Sequence, residues 1–231
     1  MSEKLKQRYM DFYKYRPNTE TIILPNGKKA PKGEVKNYGS ALYPLFKKAT
    51  NNRTFDQRLN MIGKTVLDVG CGSGQFCFDA VTKFGAKKAY GIDIASVELG
   101  LTESCRHKDI EFFSGDCVPI PLKDDSVDIV TSFLVLEHVS RQEILQILCE
   151  MDRVCREGWI LSISHIPTSH PTNPNREVVE TRRWWMNEIS NYMSNIVTVD
   201  IPSDNHKWGV GDNSGYSRFI CTSKKFESKN D

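Results

Sequence analysis

From Thr65 onward, short apolar runs alternate with stretches of helical periodicity. Thr65–Val69, Ala89–Ile94, Ile110–Phe113, Val127–Phe133 and Trp159–Ser164 are mostly apolar and bounded by Gly, Pro, Asp or Ser. Such runs predict strands of a parallel sheet covered on both faces. Between them, Arg141 to about Arg156 predicts a helix, with Ile144, Leu145, Leu148, Met151 and Val154 taken as its apolar face. Ser140 and Glu143 form a capping box at its start, and Gly158 reads as the stop beyond its end. Strand–helix alternation of this kind predicts right-handed crossovers and a three-layer α/β sandwich. Two later runs, Ile196–Ile201 and Arg218–Ser223, predict further strands after a helix carrying Trp184 and Trp185.

Residues 1–60 lack this rhythm. They carry turn signals at Pro25-Asn26-Gly27 and Pro31-Lys32-Gly33, and two short helices are predicted around Lys4–Tyr15 and Ala41–Thr50. The change in pattern places a boundary near residue 60: residues 1–60 read as a helical extension or substrate cap, and residues 61–231 as the main domain.

Composition narrows the classes. The 231 residues are 39% hydrophobic and 26% charged, ordinary values for a folded globular chain. Net charge is only +2, which excludes a protein that coats polyanions, but its spread is uneven: +8 over residues 1–60 and −6 over the rest. A basic first quarter can steer an anionic substrate. No apolar run approaches the ~20 residues of a membrane span, and the polar start, Met1 to Met10, has no secretory core. The expected location is the cytoplasm. Seven cysteines include no C-x-x-C pair and lie mostly in apolar stretches, so they are expected to be reduced and buried.

The chemistry begins at Val66-Leu67-Asp68-Val69-Gly70-Cys71-Gly72-Ser73-Gly74-Gln75-Phe76, where a strand runs into a glycine-rich turn that opens a helix. Glycines there let the backbone approach a ligand closely, and the N–H groups at the helix start favour polar or anionic ligand atoms. The spacing differs from the G-x-G-x-x-G of dinucleotide-binding folds. Asp68 sits inside the strand, where a buried carboxylate needs a partner such as a ligand amino group. Asp93, closing the second strand in Gly91-Ile92-Asp93-Ile94, is placed to accept from both hydroxyls of a ribose. Asp116, in Ser114-Gly115-Asp116-Cys117, closes the third and can accept from an adenine amino group. Three acids thus line up on the carboxyl edge of the sheet, where open α/β folds bind ligands.

These stretches, with Ser126-Val127-Asp128-Ile129-Val130-Thr131-Ser132-Phe133-Leu134-Val135-Leu136-Glu137-His138-Val139, resemble the successive motifs of the class I S-adenosylmethionine-dependent methyltransferases. The resemblance covers roughly residues 60–165. It implies a Rossmann-like sandwich whose seven-stranded, mostly parallel sheet has an antiparallel last strand. It also implies S-adenosylmethionine as cofactor and S-adenosylhomocysteine as product. Asp68 and the glycines Gly70, Gly72 and Gly74 would hold the methionine end. Asp93, with Ile94, would hold the ribose, and Asp116 with Cys117 the adenine. Phe133 and Leu134 would line the pocket beneath the sulfonium.

The acceptor side is less specified. An alcohol acceptor needs a base, and His serves best near neutral pH. Of five histidines, His165 at the end of the fifth strand is the first candidate, followed by His170 and His138. His107 reads as a surface residue. Arg182, Arg183 and Trp208 are candidate substrate contacts, and Lys207–Asn213 is glycine-rich enough to move as a lid. The leading reading is O-methylation of a small polar acceptor, a saccharide or nucleotide-sugar hydroxyl. N-methylation of RNA or a small amine is the alternative. It is disfavoured for nucleic acid because Phe133-Leu134-Val135-Leu136 replaces the Asn/Asp-Pro-Pro-aromatic tetrapeptide. A cofactor-binding protein without activity is the reading of another class, and the acids and glycines argue against it. No His/Asp/Glu cluster has metal-ligand spacing, so methyl transfer is expected to survive a chelator. Loss of activity on chelation, recovered with magnesium, would contradict this.

Overall fold

The computed structural model describes residues 3–14, 20–23, 29–32, 39–40, 42–44, 59–95, 97–98, 100, 102–165, 176–199 and 216–227. The chain opens with α1 (Glu3–Lys14) and an antiparallel pair, β1 (Glu20–Ile23) and β2 (Lys29–Lys32). The main unit then runs β3 (Thr65–Val69), α2 (Gln75–Thr82), β4 (Lys88–Asp93), β5 (Ile110–Ser114), β6 (Val127–Phe133), α3 (Arg141–Val154) and β7 (Cys155–Ser164). It closes with α4 (Arg182–Ser190), β8 (Met193–Thr198), β9 (Tyr216–Ser223) and α5 (Lys224–Glu227).

Seven strands form one sheet in the order β5-β4-β3-β6-β7-β9-β8. Pairings from β5 through β7 are parallel, and β9 inserts antiparallel between β7 and β8. This is the mostly parallel, Rossmann-like sheet with an antiparallel last strand that the resemblance implies. The order reverses between β3 and β6, and at such a switch point the loops leave a crevice at the carboxyl edge.

Alternation along the strands splits the core into two layers. Leu67, Val69, Val130, Trp159, Leu161, Phe219 and Cys221 face α3 and α4 and join the buried face of α3 with Trp185 and Ile189. Val66, Ile129, Phe133, Ile160 and Ile220 face the other way, against Phe76 and Ala80 of α2 with Tyr43, Leu59 and Met61. Val127 and Ile129 lie two apart yet on opposite faces, because the β6–β7 register shifts between them. Asp128 at that shift accepts from Thr65 N (2.8 Å) and Arg156 Nε (2.8 Å), pinning the starts of β3 and β7.

Three expectations are corrected. The buried face of α3 is Ile144, Ile147, Leu148, Met151 and Val154, while Leu145 is 45% exposed. One residue past Ile144 lies 100° around the helix and off the i, i+3, i+4, i+7 stripe. The Ser140–Glu143 capping box forms as expected. At the far end, however, the chain passes directly from Val154 into β7, with Cys155 already extended. Gly158 is therefore a strand residue, not a helix stop. The first sixty residues contain a β-hairpin, β1–β2, where only helices were expected. Its Pro25-Asn26-Gly27 signal and most of the predicted Ala41–Thr50 helix lie outside the described residues.

Gly158 pairs with Thr222, and a Cβ built on it would stand 2.1 Å from the Cys221 carbonyl oxygen. The neighbour is backbone and cannot swing away. Gly158→Ala is expected to cost about 1–3 kcal/mol through overpacking, read as a lower urea midpoint with unchanged slope.

Candidate functional site

The carboxyl ends of β3, β4 and β6 converge on the turn after Val69. Gly70 has φ +76° and Gly74 φ +77°, conformations that side chains rarely adopt. Space forbids side chains as well: a Cβ on Gly70 would meet Val135 Cγ2 at 2.2 Å, and one on Gly74 would meet Phe112 Cζ at 2.4 Å. Gly74 is the residue from which α2 starts. The turn is tied to β4, with Gly70 N and Cys71 N both donating to the Ile92 carbonyl at 2.8 and 3.0 Å. Asp93 completes the tie. Its Oδ2 accepts from Gly72 N (3.1 Å), and its Oδ1 accepts from Ala95 N (3.0 Å).

Asp68 is buried at the end of β3. Thr131 Oγ1 of β6 donates to its Oδ1 at 2.8 Å. Burial nevertheless pushes its carboxyl up to about 7; the Thr131 hydrogen bond opposes this and the charge of Asp93 adds to it. Asp116 is half-buried and accepts from Val118 N at 3.3 Å, and Cys117 beside it is buried with φ +67°. Ile94 is half-buried beyond β4. Phe133 packs its ring on Phe76 (5.0 Å between centroids), and Leu134 takes φ +60° as the chain leaves β6.

A second group of polar residues lies beyond β6 and β7. His165, just past β7, has Nε2 2.5 Å from Ser217 Oγ of the neighbouring β9. Arg182 Nε donates to the same Oγ at 3.3 Å. Two residues the sequence marked, His165 and Arg182, therefore meet through a third that it did not. Arg183 is exposed, away from this cluster. His138 ends a short 3₁₀ turn, Leu136–His138, and meets Tyr9 of α1 edge-on at 6.1 Å. His107 is partly exposed, near Asp109. His170, Trp208 and the Lys207–Asn213 loop lie outside the described residues.

Glu137 was also missed as a working residue. It is fully buried, and burial pushes its carboxyl up to about 7. Its Oε1 accepts from Ser164 N at 3.1 Å and lies 3.8 Å from Arg176 Nε, while its carbonyl accepts from Glu177 N and Val178 N. It thus binds the end of β7 to the place where the described chain resumes. Its only mark in the sequence is a charged residue inside an apolar run.

Residues 67–163 match the family described as "Methyltransferase domain". Over those residues the chain carries a methyltransferase domain. A demethylmenaquinone methyltransferase of Lactococcus lactis is 30% identical over 127 residues, which cover 53% of this chain and 49% of that protein. Ajmaline N-methyltransferase of Rauvolfia serpentina is 26% identical over 154 residues, 60% of this chain and 52% of that one. The chain spans about half the length of the curated relatives it matches. A Listeria monocytogenes structure described as a putative S-adenosylmethionine dependent methyltransferase superposes with a TM-score of 0.55. It is 17% identical and covers 80% of this chain and 98% of its own, a likeness of fold. Among the described residues no helix is long and apolar enough to cross a membrane, and no group of three His, Cys, Asp or Glu could hold a metal ion.

The family's cofactor is S-adenosylmethionine, and the methyltransferase site fits it. A buried carboxylate displaced to about 7 suits a ligand ammonium, and a turn in which every second residue is glycine suits close approach by a ligand. Each Asp93 oxygen accepts one backbone N–H, and a carboxylate is the kind of acceptor a diol calls for.

A pH dependence follows from Asp68. Its raised value means that the unliganded fold loses stability as pH rises from about 4 to about 7. A ligand ammonium binds the ionised form, so below about 7 a proton must leave on binding. S-Adenosylhomocysteine affinity is expected to fall up to about tenfold per pH unit below that point and to level off above it. Asp68→Asn should weaken binding at pH 8, flatten the dependence and raise the unliganded Tm there. Calorimetry in buffers of different ionisation enthalpy measures all three.

Proposed function

We propose that the protein transfers a methyl group from S-adenosylmethionine to a hydroxyl of a small polar acceptor, with a saccharide or nucleotide-sugar as the first class to test. The observation that carries this reading is the convergence of His165, Ser217 and Arg182 at one end of the β7–β9 pair. In the same reading Asp68 and the loop from Gly70 to Gly74 receive the methionine end, Asp93 with Ile94 the ribose, and Asp116 with Cys117 the adenine. Residues 1–60 act as the cap, and their excess of positive charge draws anionic acceptors towards it.

The cofactor, when bound, supplies an electrophilic methyl group. The chain's own residues then have to hold the acceptor in line and take its proton. Arg182 can only donate, so Ser217 Oγ accepts from it, and its second lone pair can accept from His165 Nε2–H. In that tautomer Nδ1 is the nitrogen that would take the hydroxyl's proton. Arg182 stands one hydrogen bond away to balance negative charge developing on the acceptor oxygen. Glu137, by gripping Ser164 N, fixes the backbone from which His165 projects.

A second reading, N-methylation of an amine, is favoured by the likeness to ajmaline N-methyltransferase. Substitution separates the two. With labelled S-adenosylmethionine and a panel of saccharides, nucleotide-sugars and amines, His165→Ala is expected to lose about 10²–10⁴-fold in turnover while binding S-adenosylhomocysteine normally. Near-normal turnover in His165→Ala, His170→Ala and His138→Ala would point to an acceptor that needs no base, and so to the amine reading.

A further inference from the structure

Among the described residues, four that are not glycine take a left-handed backbone: Cys117, Asp125, Leu134 and Asn195. Asp and Asn adopt it at little cost, and Asp125 and Asn195 lie away from the crevice, before β6 and at the register shift of β8. Cys117 belongs to the residues expected at the adenine. Leu134, at φ +60°, has no side-chain atom that can hydrogen-bond in return for the strain. Its neighbours hold it there. Leu134 N donates to the Ser162 carbonyl at 2.8 Å, so β7 grips the residue just past the last rung of β6. His138 N donates to the Val135 carbonyl at 2.9 Å and closes the 3₁₀ turn that follows. Leu136 and Glu137 of that turn are buried, whereas Leu134 and Val135 are only half-buried at the carboxyl edge. Strained residues persist where the surroundings over-determine them, and they cluster at ligand sites.

The left-handed residue turns the chain out of the sheet, and what the bend delivers is Val135. Its isopropyl group fills the space that a Gly70 side chain would take: a Cβ there would stand 2.2 Å from Cγ2 and 2.7 Å from Cγ1. On the side of β4 the same turn is bonded to the Ile92 carbonyl and to Asp93. The glycine turn is thus held between a polar grip and an apolar wall, and the wall stands only while Leu134 keeps its bend. Resting on the cofactor reading above, we propose that the backbone bend at Leu134 is a positioning device of the S-adenosylmethionine site, pressing Val135 onto Gly70 and so setting the turn that receives the methionine end. Leu134 and Val135 then act through the turn, apart from any contact of their side chains with the ligand. A chain that relaxes at residue 134 lets the wall withdraw, and the cost of restoring it appears in the affinity.

The test uses the full chain, with S-adenosylhomocysteine affinity measured by calorimetry and stability by the urea midpoint. Leu134→Asn favours the bend but loses the apolar side chain, whereas Leu134→Val stays apolar but its branched Cβ opposes the bend. The Asn variant is expected to bind no more than about threefold more weakly than the wild type, and the Val variant about tenfold more weakly. The Val variant should also have the lower urea midpoint of the two. In a Val135→Ala background the two variants should bind within about twofold of each other, because the wall that the bend aims is gone. A purely structural role would move the midpoints and leave the affinities together. Should Leu134→Val fail to fold, Leu134→Ala replaces it: Ala lacks the isobutyl group as Asn does yet resists the bend, and should bind more weakly than Asn. Binding by the Val or Ala variant as tight as that of the Asn variant, or a gap that persists in Val135→Ala, would overturn the proposal and leave the cofactor reading standing. Failure of the wild type to bind S-adenosylhomocysteine would overturn both.

Discussion

The site depends on one carboxylate used as a clamp. Asp93 spends one lone pair of each oxygen on backbone, on Gly72 N and on Ala95 N. This joins the turn after β3 to the end of β4 and holds three successive glycines in left-handed conformations without a side chain to brace them. Val135 and Phe112 press on that turn from two sides, at distances that leave no room for a methyl group. Clamp and walls together set the shape of the turn that follows Asp68. A lost clamp would free the most entropic segment of the chain at the point where geometry matters most.

Two carboxyls near this crevice are displaced to about the same value for the same reason, burial, yet the chain treats them differently. Glu137 meets a backbone N–H and a guanidinium 3.8 Å away, both from its own chain, and serves as a staple. Among the described residues Asp68 receives a neutral hydroxyl from Thr131 and meets no cation. In the function proposed above, such a desolvated acid is the place for a cation from outside.

The strands of the sheet were legible because each carries a short apolar run with polar brackets; Thr65–Val69 and Val127–Phe133 match to the residue. Errors arose where local pattern has two explanations. Gly158 follows a helix as a stop would, but its lack of a side chain serves the close approach of β9. Leu145 is apolar and helical, yet off the stripe. The residues of the crevice could be nominated from the glycine turn and its three acids, because these are near in sequence to strand ends. The long-range partners of the candidate histidines could not: Ser217 is 52 residues from His165, and Tyr9 more than a hundred from His138. Neither carries a local signature. Arg182 and Arg183 are indistinguishable in sequence, and only the helix phase sends one to Ser217 and the other to solvent.

The position of β9 bears on how the chain is made. It follows β8 in sequence but lies inside it in space, hydrogen-bonded to β7 along Gly158–Ser164 and to β8 on its other side. Until Tyr216–Ser223 leaves the ribosome, β7 is an open edge, eight of its ten residues destined for burial, and β8 has no partner in the sheet. An unpaired apolar edge is a template for pairing with another chain. The nascent chain therefore carries this apolar edge unpaired while the residues from Ser164 to Ser223 are made, and a transcript truncated shortly before residue 216 would yield a chain with its glycine turn encoded but its sheet unsealed.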